Sequence, residues 1–204
     1  MIPRDYFSIN FMKNTLFKTE MRLLGIFLIA FLSVVKVFAQ DDMKKVISKG
    51  IEYAEQNHYD DAILEFNKAI GLDSNYADAY YNRGLAYFSK RELSKAIFDF
   101  NKAISLNPKD VDFYNNRGNA YVYLGNLNIA IADFNKAIKL KPEYPDSYSN
   151  RANVYLSAGK YSLAVSDCNK AIKLKPDYSE AYHNRGAAYN GLGKYDKANN
   201  LNRF

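Results

Sequence analysis

From Met43 onward, apolar and small residues recur with a helical period, and that pattern repeats every 34 residues. With Met43, Ala77, Val111, Pro145 and Ser179 as position 1, position 11 is Tyr53, Tyr87, Tyr121, Tyr155 and Tyr189. Position 20 is Ala62, Ala96, Ala130, Ala164 and Ala198, and position 27 is Ala69, Ala103, Ala137 and Ala171. A period held without insertion predicts a solenoid, in which each unit buries its apolar face only against its neighbours. No segment alternates with the period of a strand.

The punctuation divides each unit into two helices, A and B. Position 15 is Asn57, Gly125, Gly159 or Gly193, with Arg91 as the exception. Asn and Gly tolerate the left-handed backbone that closes a helix. Position 18 reads Asp60, Ser94, Asn128, Ser162 and Asp196, which predicts an N-cap for helix B at that offset. Pro108, Pro142 and Pro176 at position 32 end helix B and turn the chain to the next unit. At about 100° per residue, positions 4, 8 and 11 of helix A fall on one stripe, as in Tyr80, Gly84 and Tyr87. Position 8 is Gly50, Gly84, Gly118, Ala152 and Gly186, small enough for another helix to approach closely. Position 24 is Phe66, Phe100, Phe134 and Cys168, which places the lone cysteine in the core.

These columns resemble the tetratricopeptide repeat (TPR), whose helix pair carries aromatic and small residues at the same offsets and Pro at position 32. The resemblance covers residues 43–204 and implies an all-α fold, an α-solenoid of TPR helix-turn-helix repeats. It also implies a right-handed superhelix with the A helices on the concave side. The predicted division is a leader over 1–39 and a repeat domain over 40–204, with units 43–76, 77–110, 111–144, 145–178 and a truncated 179–204. One departure from the family is position 7, usually Leu, which here is Lys49, Arg83, Arg117, Arg151 and Arg185. Position 23 supplies Glu65, Asp99, Asp133 and Asp167 in matching number, so structural ion pairs are expected in place of an anion-binding ladder. The other departure is the fifth unit, which stops at position 26 without a capping helix.

Positions 2, 6, 9 and 13 lie opposite the packed stripe of helix A. Position 6 is Asn82, Asn116, Asn150 and Asn184, with Ser48 in the first unit, and Asn119 and Asn153 add amides at position 9. An amide carries donors and an acceptor, so it can bond the N–H and C=O of an extended peptide without reading its side chains. The column resembles the asparagine ladder in the TPR superhelix of the O-GlcNAc transferase, which implies a peptide-binding role for these residues. Tyr81, Tyr123 and His183 flank it as candidate side-chain pockets. Asp78, Asp112, Asp146 and Glu180 at position 2 complement the N-terminal end of each helix A. A clamp for the two carboxylates of a chaperone tail needs lysines on this face. Positions 5 and 2 do not provide them.

Residues 1–39 differ in kind. Leu23 to Val35 is an apolar run between Arg22 and Lys36, followed by Val37-Phe38-Ala39, the three parts of a secretory signal peptide. A helix of that run spans about 20 Å, short of the roughly 30 Å of bilayer hydrocarbon. Cleavage after Ala39 is therefore expected over an uncleaved anchor, and with it export to the periplasm or beyond. The formal charge of +6 falls to +3 without the leader, which holds five basic and two acidic residues. That is too mild to argue for nucleic acid. Lys139, Lys141, Lys173 and Lys175 face the carbonyl ends of B helices. One cysteine and two separated histidines, His58 and His183, supply no metal set, and no nucleophile elbow or phosphate-cradling glycine loop is present. The reading is a non-catalytic scaffold without cofactor that binds a partner polypeptide in the concave groove, with no nucleic acid and no membrane contact beyond the leader. Alternatives are a membrane-anchored structural subunit of an envelope complex, or the N-terminal part of a larger enzyme or signalling protein. The uncapped fifth unit raises a homodimer through residues 179–204.

Overall fold

The computed structural model describes residues 41–194 together with 21, 25, 27, 28 and 31. The chain falls into two compact units, Met1–Val46 and Ile47–Phe204. In the first, the five described leader residues are helical. The rest of the proposed signal peptide lies outside the described residues, as do Asp196, Ala198 and the remainder of 195–204. No helix among the described residues is long and apolar enough to cross a membrane.

Every regular element described is a helix: α1 (41–55), α2 (Tyr59–Leu72), α3 (Ala77–Ser89), α4 (Leu93–Leu106), α5 (Val111–Tyr123), α6 (Leu127–Leu140), α7 (Pro145–Ser157), α8 (Tyr161–Leu174) and α9 (Ser179–Gly191). Odd-numbered helices are the A helices and even-numbered ones the B helices. From α3 on, each A helix packs on the B helix before it, and α3, α5 and α7 pack also on their own B helices. Successive A helices, α3 with α5, α5 with α7 and α7 with α9, also touch, whereas α2, α4, α6 and α8 do not touch one another. The A helices therefore line the inner side of the solenoid.

The A-to-B turn is built by backbone. Position 15 has positive φ in all five units: Asn57 63°, Arg91 64°, Gly125 75°, Gly159 69° and Gly193 69°. The N–H of position 16 then donates to the carbonyl of the position-11 tyrosine, as from His58 to Tyr53 at 2.8 Å and from Asn126 to Tyr121 at 2.9 Å. Position 15 donates to position 12, as from Gly125 to Val122 at 2.9 Å, which completes a Schellman closure. Helix B starts at once after this closure, at position 17. The expected N-caps Asp60, Ser94 and Asn128 consequently lie inside its first turn. The capping positions are His58, Glu92, Asn126 and Lys160, none with a side-chain cap bond. The B helices end at Leu72, Leu106, Leu140 and Leu174, two residues before position 32. The residue preceding each proline is driven out of the helical region, and Asn107, Lys141 and Lys175 have φ of −134°, −140° and −135°. Tyr80, Tyr114 and Tyr148 at position 4 donate their hydroxyls to the position-32 carbonyls of Ser74, Pro108 and Pro142, which ties each inter-unit turn to the next A helix.

The core is a row of small clusters shared between neighbouring units. Tyr80 and Phe113 bury against Ala103, and Tyr148 against Ala171 and Ala181. The alanines at positions 20 and 27 in α2, α4, α6 and α8 are fully buried. At position 8 the B-helix ring sits directly on the glycine. A Cβ built on Gly50 would come within 2.6 Å of Phe66, one on Gly84 within 2.8 Å of Phe100, and one on Gly118 within 2.7 Å of Phe134. The fourth unit exchanges both partners: Ala152 replaces the glycine and Cys168 the ring, and both are fully buried. Gly118→Leu has no space for its side chain, and overpacking of this kind costs about 1–3 kcal/mol. A thermal melt should show Tm falling by several degrees, whereas an unchanged Tm would contradict the contact.

Candidate peptide-binding face

Behind the inner face, the position-7 arginines are locked from both sides. Arg117 Nε and Nη2 donate to Asp133 Oδ2 and Oδ1 at 2.9 and 2.6 Å, and its Nη1 donates to Asn101 Oδ1 at 2.6 Å. Arg83 makes the same contacts to Asp99 and Asn67, and Arg151 to Asp167 and Asn135. Each guanidinium thus joins its own B helix to the preceding one. The planar fork matches the carboxylate with two parallel bonds. Asp99, Asp133 and Asp167 are buried, so neither charge can be left alone at small cost. In the first unit, Glu65 holds both Lys49 and Lys68, at 3.0 and 2.9 Å. These two lysines, Lys68 first and acting chiefly through hydrogen bonds, keep the Glu65 carboxyl below its ordinary value. The arginines are structural cations, as their pairing with position 23 predicts. Arg185 keeps the Asn169 contact at 2.8 Å, but its buried Nε has no partner among the described residues.

The position-6 asparagines stand one per A helix on the inner side, where they are half-buried in α3, α5 and α7 and buried in α9. Their amide hydrogens are largely committed. Asn82 Nδ2 donates to the Asp78 carbonyl one turn back at 2.8 Å. Asn116 Nδ2 donates to the Asp112 carbonyl at 3.0 Å and to the Tyr81 hydroxyl at 2.9 Å, so both its hydrogens are used. Asn150 Nδ2 reaches Asn115 Oδ1 at 3.2 Å, which also accepts from the Ser147 hydroxyl. The sequence pattern predicts a column that donates and accepts alike. At Asn116 the amide has only its carbonyl oxygen left to offer, because one N–H bonds its own helix and the other the Tyr81 hydroxyl of the preceding A helix. Among the described residues, no hydrogen bond reaches Oδ1 of Asn82, Asn116 or Asn150.

In both cross-unit bonds, an asparagine at position 6 donates to position 5 of the unit before, 35 residues back. At the next step the register places Asn184 opposite Ser149, and the bond is absent. Asn184 Nδ2 is buried without a hydrogen-bond partner among the described residues, and the buried Ser149 hydroxyl lies against the Tyr178 phenol instead. The serine is too short to act as Asn115 or Tyr81 does. Position 5 varies from unit to unit, so the repeat columns did not flag Asn115 or Ser149 as parts of this network.

The flanking candidates divide. Tyr81 joins the ladder: it bonds Asn116 and packs on Phe113 with ring centroids 4.8 Å apart. Burial, then Asp112, Asp110 and Asp78, push its phenol up. Tyr123 is 57% exposed at the other end of the A helices, with the Arg91 guanidinium 4.5 Å above its ring and Phe88 against its edge. Asn153 and His183 are exposed, Asn119 is half-buried, and no hydrogen bond ties these three to the ladder. Among the described residues, no group of three His, Cys, Asp or Glu side chains could hold a metal ion.

Comparison with known proteins agrees with this geometry. A family model described as a TPR repeat matches residues 50–91 and 118–159, and two described as tetratricopeptide repeats match 77–110 with 145–178 and 100–132 with 168–198. The chain belongs to the tetratricopeptide repeat family. No curated protein matches it significantly. Among solved structures, it is similar to a MamA protein, with 26% identity and TM-score 0.70 over 80% of this chain and 90% of that one. It also resembles YrrB, described as a TPR protein with an unusual peptide-binding site, with 23% identity and TM-score 0.62 over 76% and 80% of the two chains. A third is pilF of Pseudomonas aeruginosa, with 19% identity and TM-score 0.74 over 80% and 74%.

Reversal of one buried carboxylate tests the arginine lock. Asp133→Lys leaves Arg117 without its counter-ion and adds a like charge, and breaking a buried pair in this way costs about 3–5 kcal/mol. Chemical denaturation should report a loss of that size, and an unchanged midpoint would show that the pair contributes nothing.

Proposed function

We propose that this protein is a non-catalytic scaffold that holds an extended segment of a partner polypeptide along the inner face of the solenoid. The observation that carries the reading is the asparagine column itself. It repeats one amide per A helix, and three of the four present a free acceptor oxygen beside half-buried surroundings. Peptide N–H groups would satisfy those oxygens without regard to side chain, and a locked Arg–Asp–Asn frame behind them costs little further ordering on binding. The similar fold of YrrB, a protein described as having a peptide-binding site, is consistent with such use. A pull-down with the wild-type chain should recover a partner that is lost when Asn116 and Asn150 are both changed to Ala, with helical content by circular dichroism unchanged. Equal recovery by both proteins would overturn the groove.

The scaffold is further proposed to act outside the cytoplasm, on the strength of the basic flank, apolar run and small residue ending at Ala39. Mass spectrometry of the native protein should find Gln40 at the mature N-terminus. An intact leader would favour the membrane-anchored alternative.

A further inference from the structure

The inner face carries more negative charge than its helix ends require. One acid per A helix, as at Asp78, Asp112, Asp146 and Glu180, is what the helix dipole favours. The structure adds Asp110, whose Oδ1 accepts the Asp112 N–H at 2.9 Å while its carboxyl is pushed up by burial and by Asp112 and Asp78. Tyr144 donates to Asp112 Oδ1 at 2.6 Å, and its phenol is raised by burial and then by Asp112 and Asp146. Tyr178 is raised in the same way by burial, Asp146 and Glu180. Acids from successive A helices therefore act on shared points and form one stripe across the units.

That stripe has no counter-ion. The buried acids of position 23 in α2, α4, α6 and α8 are all paired, yet among the described residues no lysine or arginine lies within ion-pair distance of Asp78, Asp110, Asp112, Asp146 or Glu180. The nearby bases are otherwise engaged or exposed: Lys141 and Lys175 lie over the Tyr144 and Tyr178 rings at 5.3 and 4.9 Å, and Lys109 is exposed. The imbalance is local, since the repeats carry net positive charge as a whole. A second observation falls at the same place. Asn184 Nδ2, in a side chain more than nine-tenths buried, has no hydrogen-bond partner among the described residues where the ladder bond is missing, while the buried Ser149 hydroxyl lies against the Tyr178 phenol, which also meets Asp146. An unpartnered amide N–H at the edge of an acidic stripe matches a ligand that brings a carbonyl oxygen together with positive charge.

We propose that the segment held in the groove is basic: its backbone carbonyl meets Asn184 Nδ2, and its lysine or arginine side chains seat against Asp112, Asp146 and the acids that flank them. This rests on the groove reading above and specifies the partner's chemistry. Carboxylates in a partly enclosed face attract cations at long range and lose that attraction as salt screens it.

The test is fluorescence anisotropy of the full chain with labelled ten-residue peptides that alternate glycine with lysine, serine or glutamate, at low and physiological salt. The lysine peptide should bind roughly tenfold more tightly than the serine peptide, about 1.4 kcal/mol, and weaken as salt rises. Asp112→Asn with Asp146→Asn should abolish that preference and leave serine-peptide binding unchanged, since the amide oxygen introduced at Asp112 can still accept from Tyr144. Asp78→Asn with Glu180→Gln, both at exposed positions, should reduce it. Equal affinity for the lysine and serine peptides, a glutamate preference, or a lysine preference that survives both variants would overturn the basic segment while the groove stands. Binding of no peptide at all would overturn both.

Discussion

The distance between the two helices of each unit is set where an aromatic ring lies on bare backbone. Phe66, Phe100 and Phe134 rest on Gly50, Gly84 and Gly118 so closely that a single added carbon would overlap the ring. Close approach of this kind leaves no layer of side chains to absorb error, and packed interiors respond to the change of one methylene. Every other inter-helix contact inherits this spacing. The alanines of positions 20 and 27 are buried because only a methyl group fits between helices held so near. The exchange to Ala152 with Cys168 shows the same constraint satisfied from the other side, with volume added on one helix and removed from the other.

Polar chemistry follows from that spacing. With A and B helices close, an arginine at position 7 reaches the carboxylate on its own B helix and the amide on the preceding one. The guanidinium is thereby satisfied at both ends and transmits register from unit to unit. Charge is sorted as a result. Acids that face the B helices are buried and ion-paired, while those at the leading ends of the A helices have no ion-pair partner among the described residues. The half of the charge that the fold has used differs visibly from the half left for something else.

The inner face is likewise the product of neighbours. Asn116 spends its hydrogens on Tyr81 and on its own helix, and Asn150 on Asn115, so the column both holds A helices in register and presents oxygens outward. At Asn184 the first of these tasks lapses because Ser149 is short. A buried donor without an acceptor is costly in a finished structure. That makes Asn184 the least settled point of an otherwise satisfied ladder.

Much of this was legible in the order of residues. The repeat period, the helix pair, the left-handed residue at position 15 in every unit but that of Arg91, the close approach at position 8 and the pairing of positions 7 and 23 are all properties of one unit and its copy. Each depends on local backbone preference or on a fixed offset, which a column displays. Helix B starts two residues earlier than a capping side chain at position 18 predicts, because the backbone closure that Tyr53, Tyr87, Tyr121 and Tyr155 accept sets its first turn. Only the tertiary structure decided which asparagine hydrogens are already spent, that the Asn184 amide is left without a partner among the described residues, and that acids of separate units merge into one stripe. Those outcomes depend on side chains some 32 to 35 residues apart being brought within bonding distance, and no local rule of propensity or periodicity carries information over that separation.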